Sequence, residues 1–195
     1  MSVAIRQGLA SDVYQAAPLI LSAAEDLLVS VFGDKEKDVA LAFINHAWKA
    51  KYGQYGCENH WVAEVENKVV GVITAWHSKL GAVFDRASLD SITSFFTLDE
   101  AMAVLMRNQA VSVGLTPPAV NELMLGHVAV DETVRRGGIG SAMVEYMREY
   151  AIQLNKRTMV LDVQLSNIAA IRFYQNVGFK EYAVSGSFVR FVHHL

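Results

Sequence analysis

Residues 128–141 read VAVDETVRRGGIGS, the most informative run in the chain. Its order predicts the end of a strand, a short loop and a glycine-rich turn that opens a helix. Backbone N–H groups in such a turn converge on an anion at the positive end of the helix dipole, and glycines keep Cβ atoms out of the way. Arg135 and Arg136 add charge-assisted contacts, which suit a pyrophosphate better than a single carboxylate. The alternative is an ordinary glycine-rich turn between a strand and a helix.

Two nucleotide-binding motifs are excluded by single residues near this turn. A dinucleotide-binding fingerprint needs a third glycine, but Met143 stands at that place. A P-loop ends in Gly-Lys-Ser/Thr, whereas Gly140 is followed directly by Ser141. Neither motif explains the turn.

The C-terminal elements predict an α/β fold, or an α+β fold with a mixed sheet. The apolar start of residues 158–164 is typical of a strand buried on both faces, as in a parallel or mixed sheet. The other predicted elements are a strand over 122–130, helices over 141–156 and 168–177, and an antiparallel pair over 180–184 and 187–193.

The N-terminal part predicts a strand over 3–6 and a helix that Ser11 caps and that continues to Val31. A second helix is expected over 35–51. Residues 60–66 and 68–76 predict a hairpin with its turn at Asn67-Lys68. The connection over 79–118 must carry its own structure, and Thr97 to Glu100 has the form of a capping box. We interpret residues 1–195 as one domain with a helical insertion at about 79–118.

Composition excludes several classes of protein. Of the 195 residues, 52% are hydrophobic and 19% are charged, the reverse of a disordered chain. A net charge of −3 provides no basic field for nucleic acid. The one cysteine, Cys57, excludes an intramolecular disulfide and a cysteine zinc site, so we expect no metal and a reducing, cytoplasmic location. We also expect no signal peptide and no membrane helix.

A second motif follows one strand later, where residues 167–179 read NIAAIRFYQNVGF. With it the chain resembles the GNAT superfamily of acyl-CoA-dependent N-acyltransferases. The family pattern Gln/Arg-x-x-Gly-x-Gly/Ala stands here as residues 135–140, and Asn-x-x-Ala-x-x-Phe/Leu-Tyr-x-x-x-Gly-Phe is filled at every named position of residues 167–179. The close resemblance covers about residues 122–183.

The resemblance implies a central mixed, mostly antiparallel sheet with helices on both faces, and two central strands that splay apart near Val128–Val130. It also implies transfer of acetyl from acetyl-CoA to a primary amine in a ternary complex. Tyr174 would be the general acid beside the thioester sulfur. The residues expected to hold coenzyme A are Val128, Ala129, Val130, Arg135, Arg136, Gly137, Gly138, Ile139, Gly140, Ser141, Asn167 and Tyr174. Asn167 is also a natural helix N-cap.

The general base departs from the family pattern, because Met124 stands where some members carry a glutamate. Glu122 and His127 are the nearby candidates, and His127 is the tentative base because its ordinary pKa is near 6.5. A water chain would serve as well. On the predicted hairpin, Glu64 and Trp76 are candidates for the amine pocket.

Two other functions remain open at this point. One is a non-catalytic acyl-CoA-binding sensor or regulatory module, which the missing glutamate favours. The other is a small-molecule-binding domain that does not use coenzyme A. The acceptor is also open among polyamines, amino acids, aminoglycosides, protein N-termini and lysine side chains. A homodimer through residues 79–118 and the last strands is a further prediction.

Overall fold

A computed structural model describes residues 3–195. Its centre is a seven-stranded sheet in the order β1-β2-β3-β4-β5-β7-β6. The strands are β1 (Ala4–Gln7), β2 (His60–Val65), β3 (Lys68–Trp76), β4 (Glu122–Val130), β5 (Thr158–Gln164), β6 (Lys180–Ser185) and β7 (Phe188–His194). Neighbouring strands are antiparallel except for β4 and β5, which are parallel. This confirms a mixed, mostly antiparallel sheet.

Helices cover both faces of the sheet, as predicted. They are α1 (Val13–Ala23), α2 (Glu25–Leu28), α3 (Lys37–Lys49), α4 (Gly81–Phe95), α5 (Leu98–Val111), α6 (Ile139–Gln153) and α7 (Ile168–Asn176). Side chains alternate along each strand. Val62 and Val72 therefore pack in a core with α1 and α3, which we call the α1-side core. Ala63 and Ile73 pack with α6 and Tyr174 of α7 in the α6-side core.

Two features predicted from local sequence, the β2–β3 hairpin and the capping box of α5, are present in the structure. The β2–β3 hairpin forms, but Glu66 and Asn67 are the two turn residues with positive φ (49° and 62°), one position earlier than expected. At the start of α5, the Thr97 hydroxyl accepts from the Glu100 N–H, while the Glu100 carboxylate accepts from the Thr97 N–H at 3.0 Å. The capping box is therefore confirmed.

The prediction of one continuous first helix, capped by Ser11, is wrong about where the helix starts and about its continuity. Ser11 lies in a 3₁₀ turn (Ala10–Asp12), and the Asp12 carboxylate accepts from the Leu9 N–H and from Arg6. The helix begins only at Val13 and breaks at Ala24, whose φ and ψ are −153° and 52°. The chain then continues as α2 and a π-helical turn (Val29–Gly33).

That break also bears on the search for membrane spans. Within residues 3–195, no single helix is both long and apolar enough to cross a membrane. The segments Ala10–Ala23 and Glu25–Gly33 reach that length and composition only as a pair bent by 98°.

Candidate active site

The parallel junction between β4 and β5 is short and opens into a cavity. Hydrogen-bonded register joins Glu122–Met124 to Thr158–Val160 and ends there, although both strands continue. A cavity of about 1420 Å³ lies beyond this junction and is lined by residues of both strands. The two central strands therefore separate, as the resemblance implied, and a ligand can enter between them.

A β-bulge interrupts β4 beside this opening. Val72 pairs with Ala129 and Thr74 with Gly126, so His127 and Val128 both lie opposite Ile73. Within the bulge, His127 adopts the left-handed backbone conformation, with a φ of 44°. A bulge reverses the alternation of side chains beyond it. Accordingly Leu123 and Leu125 pack in the α6-side core, whereas Ala129 packs in the α1-side core.

His127 is half-buried and lines the cavity. Its Nδ1 lies 3.2 Å from the Thr74 Oγ1, and its ring centroid lies 5.3 Å from that of Tyr55. Burial lowers the pKa of His127 from 6.5 to about 4. The imidazole is therefore neutral at pH 7, and the ordinary pKa on which its tentative role as a base rested does not apply in this environment.

The glycine-rich turn opens α6 as predicted, with the helix beginning at Ile139 rather than Ser141. Gly138 has a φ of 80°, and a Cβ built on it meets no atom within 4 Å. The first backbone-paired amide of the helix is that of Ala142, which donates to the Gly138 carbonyl. Within the described chain, the N–H groups of residues 137–141 have no protein acceptor. These free donors form a cradle for an anion.

Arg135 makes hydrogen bonds within the loop that precedes the turn, and its contact with the pyrophosphate stays a prediction. Its Nε donates to the Val130 carbonyl at 2.9 Å, and its Nη1 donates to Glu132 at 3.2 Å. The guanidinium thus closes the loop that precedes the turn. Arg136, with a φ of 66°, lines the cavity, as does Arg135, whereas Gly137 does not.

The second motif brings α7 to the cavity beside the glycine-rich turn, where Phe173 lies next to Gly140. The Asn167 Oδ1 accepts from the Ala170 N–H at 3.0 Å, which confirms it as the N-cap of α7. Tyr174 is 7% exposed and stacks edge-on with Phe173 and Phe179. Burial raises the pKa of Tyr174 above its usual value near 10, so the hydroxyl keeps its proton at neutral pH. Asn167 and Tyr174 both line the cavity.

Two sequence candidates lie elsewhere. The Glu122 carboxylate accepts from the Ala119 N–H at 2.9 Å at the start of β4, and Glu64 forms an ion pair with Arg6 at 2.8 Å. Neither residue lines the cavity, so their proposed places at the site are wrong. Trp76 and Met124 do line it.

A further set of cavity residues carried no signal in the sequence, because separate elements bring them together. We call Ala24, Leu27, His77, Asp85, Thr116 and Pro117 the second wall. They come from the α1–α2 break, the end of β3, α4 and the loop before β4.

Charge is unevenly distributed over the cavity. Arginines line it at the glycine-rich turn and on α7. Of the two lining carboxylates, Asp162 pairs with Arg190 at 2.9 Å, and Arg190 also donates to the Thr116 carbonyl. Among described residues, Asp85 is the lining carboxylate without an ion pair. Asp85 thus gives the second wall a free carboxylate, while burial and the nearby Lys156 and Lys79 lower the pKa of His77 in the same wall.

Comparison with known proteins gives a family. A family model described as the acetyltransferase (GNAT) family matches residues 23–179. Over 67 residues the chain is 34% identical to the [ribosomal protein bS18]-alanine N-acetyltransferase of Escherichia coli strain K12. That alignment covers 34% of this chain and 45% of the relative, so the chain spans less than half the length of this curated relative.

Solved structures share the fold. The N-acetyltransferase from Staphylococcus aureus Mu50 has a TM-score of 0.73 at 20% identity, over 97% of this chain and 100% of that chain. The PaiA N-acetyltransferase from Thermoplasma acidophilum, in complex with coenzyme A, has a TM-score of 0.60 at 12% identity over 100% of each chain. At these identities the likeness shows the architecture alone.

Proposed function

The chain belongs to the GNAT acetyltransferase family, and we propose that it transfers the acetyl group of acetyl-CoA directly to a primary amine held in the same cavity. The observation that carries this proposal is the gap between β4 and β5. The cavity beside this gap is lined by a cradle of free amides at the glycine-rich turn and by the protonated Tyr174.

The cradle fits the pyrophosphate of coenzyme A. Unpaired N–H groups at residues 137–141, at the start of a 15-residue helix, stabilise negative charge. Open space at Gly138 lets a phosphate approach the backbone. Val128 to Val130 lie beyond the end of the β4–β5 pairing, where their backbone can bond the pantetheine arm as a further strand would. Asn167 retains an amide N–H₂ group for the same ligand after capping α7.

Tyr174 is suited to protonate the leaving thiolate. The amine nitrogen bonds to the thioester carbon, the carbonyl oxygen gains negative charge, and the C–S bond then breaks. The sulfur takes the Tyr174 proton, and the proton lost from the amine restores the tyrosine through water. No covalent enzyme intermediate is needed, and burial raises the pKa of the Cys57 thiol, which is 3% exposed.

We propose that the acceptor enters along the second wall. Asp85 favours an acceptor with a positive charge beyond its reacting amine, because its carboxylate lines the cavity and forms no ion pair with the described residues. The E. coli relative acts, by its name, on an N-terminal alanine, so a peptide N-terminus belongs in the test set. Cytoplasmic location and a homodimer stay predictions from the sequence.

Coenzyme A release measures the proposed reaction. The purified chain is mixed with acetyl-CoA and, separately, butylamine, 1,4-diaminobutane, L-lysine and a short peptide with N-terminal alanine. We expect free thiol to appear only when an accepted amine is present. Acetyl-CoA binding by calorimetry without thiol release from any amine would favour the non-catalytic sensor instead.

Tyr174→Phe tests the general acid. Since general-acid assistance contributes about 10²-fold or more, kcat should fall by about 100-fold while acetyl-CoA affinity stays within threefold. Tyr182→Phe is the matched control, because Tyr182 is 76% exposed on β6. Equal turnover in Tyr174→Phe and wild type would contradict the acid role.

A further inference from the structure

The contact between Thr74 and His127 determines which imidazole nitrogen carries the proton. Thr74 is fully buried, and His127 Nδ1 is the partner of its hydroxyl among the described residues. A hydroxyl can donate or accept, but a buried O–H without an acceptor costs about 1–3 kcal/mol. Thr74 therefore donates to Nδ1. A neutral imidazole that accepts at Nδ1 carries its hydrogen on Nε2.

His127 Nε2 faces the cavity. This nitrogen makes no hydrogen bond to the described residues. If it were fully buried, it would belong with the buried unpartnered nitrogens of those residues, which are His60 Nε2, His77 Nδ1 and His193 Nδ1. The nitrogen is therefore accessible from the cavity that His127 lines. His127 lies in the bulge next to Gly126, which pairs with Thr74, and from there its Nδ1 reaches the Thr74 hydroxyl.

The neighbouring His60 does not compete for the Thr74 proton. His60 is fully buried, its Nδ1 donates to the Gly56 carbonyl at 2.9 Å, and its Nε2 has no partner. The two histidine rings lie 6.5 Å apart. Burial keeps both neutral, since it lowers the pKa of His60 to about 3 and that of His127 to about 4. A second proton on His127 is disfavoured because burial penalises the charged imidazolium.

We propose that His127 donates a hydrogen bond from Nε2–H to the acyl oxygen as it gains charge, and that Thr74 is the positioning residue that holds this tautomer. The inference rests on the proposed function. The oxygen receives a hydrogen bond while its negative charge develops, and no proton is transferred to or from His127. His127 is thus a donor, whereas a base would need a free lone pair at Nε2.

The tautomer can be read without any substrate. The protein is labelled with ¹⁵N-histidine, and long-range proton–nitrogen correlation spectra are recorded at pH 7 on wild type and His127→Gln, which assigns the signal. We expect Nδ1 of His127 to have the shift of an unprotonated nitrogen. A protonated Nδ1, or an imidazolium, would overturn the proposal. Thr74→Val should increase the population of the other tautomer, and Thr74→Ser should restore the wild-type pattern.

Two variants at position 127 separate a donor from a base. Glutamine keeps an N–H at about the place of Nε2 but cannot take a proton at neutral pH, whereas leucine offers neither function. Loss of one oxyanion donor costs about 100-fold in kcat. We expect His127→Leu to lose that factor and His127→Gln to recover about tenfold of it, measured with the amine from the panel that releases thiol fastest.

Equal losses in the two variants would overturn the donor role in favour of the base. Both variants share the positive φ at this position, and their melting temperatures and acetyl-CoA affinities monitor the fold. If wild type releases no thiol with any amine in the panel, the proposed function fails. The spectra then still decide the tautomer separately.

Discussion

The proposed pyrophosphate cradle can be tested with Gly138→Ala and Gly138→Glu. Both variants strain the backbone, but only the glutamate adds a negative charge. Both alanine and glutamate must adopt a φ of 80° at this position. A left-handed backbone costs an L-residue about 1–2 kcal/mol. Since a Cβ there meets no atom within 4 Å, strain is the whole cost for alanine. For a chain of this size the melting temperature should fall by roughly 2–8 °C in either variant.

Affinity for acetyl-CoA should separate the two variants. Strain at Gly138 is present with and without ligand, so Gly138→Ala should bind within about threefold of wild type. Gly138→Glu places a carboxylate beside the phosphates. Two unit charges about 6 Å apart at an effective dielectric constant near 20 repel by about 3 kcal/mol, which is about 100-fold in affinity.

Calorimetric titration with acetyl-CoA at low ionic strength measures both affinities, and thermal melts measure the shared loss of stability. If the glutamate variant bound acetyl-CoA as well as the alanine variant did, the phosphates would not lie at this turn. The reasoning from free amides would then be refuted, even though the helix start itself is intact.

Asp85→Asn should lower kcat/KM for 1,4-diaminobutane by about tenfold while leaving butylamine unaffected, because one charge-assisted contact contributes about 1.5 kcal/mol. Asp90→Asn on α4 is its control, since Asp90 does not line this cavity, and equal losses for the two amines would contradict a cation site. Asp12→Asn should destabilise the fold by about 2 kcal/mol at pH 7, because the amide has no charge and leaves one acceptor oxygen where the carboxylate accepts from Arg6 at both. Burial would raise the pKa of Asp12, but those hydrogen bonds and that of the Leu9 N–H lower it on balance, so this stability is present above the ordinary aspartate pKa. Denaturant unfolding of both proteins should therefore converge as the pH falls through the lowered pKa, and a difference that persists in acid would contradict the ion pair.

Elements with local signals were predictable from the sequence. The capping box at Thr97, the hairpin before Lys68 and the strand over 122–130 each depend on residues a few positions apart. The break at Ala24 has no such signal, because alanine is the best helix former and nothing near it stops a helix.

The site was predictable only where a motif was contiguous. Alternation along residues 122–130 describes a regular strand and would put His127 on the face of Leu125. The bulge reverses this, and its evidence is the register against Val72 and Thr74, which the sequence of one strand does not contain. The second wall is missed for the same reason, since Asp85 meets the motif residues only in three dimensions.

Backbone pairing between the two halves of the sheet, β1–β4 and β5–β7, amounts to three residue pairs, Glu122–Met124 against Thr158–Val160. The α6-side core joins the two halves through side chains, but their facing edges are not paired beyond these residues, so amide hydrogen exchange should be fast there. A ligand that bonds both edges adds backbone hydrogen bonds between the halves. At 100 times its Kd it would stabilise the folded chain by about 2.7 kcal/mol and slow exchange on both strands together. The acetyl donor would then stabilise the fold as well as react.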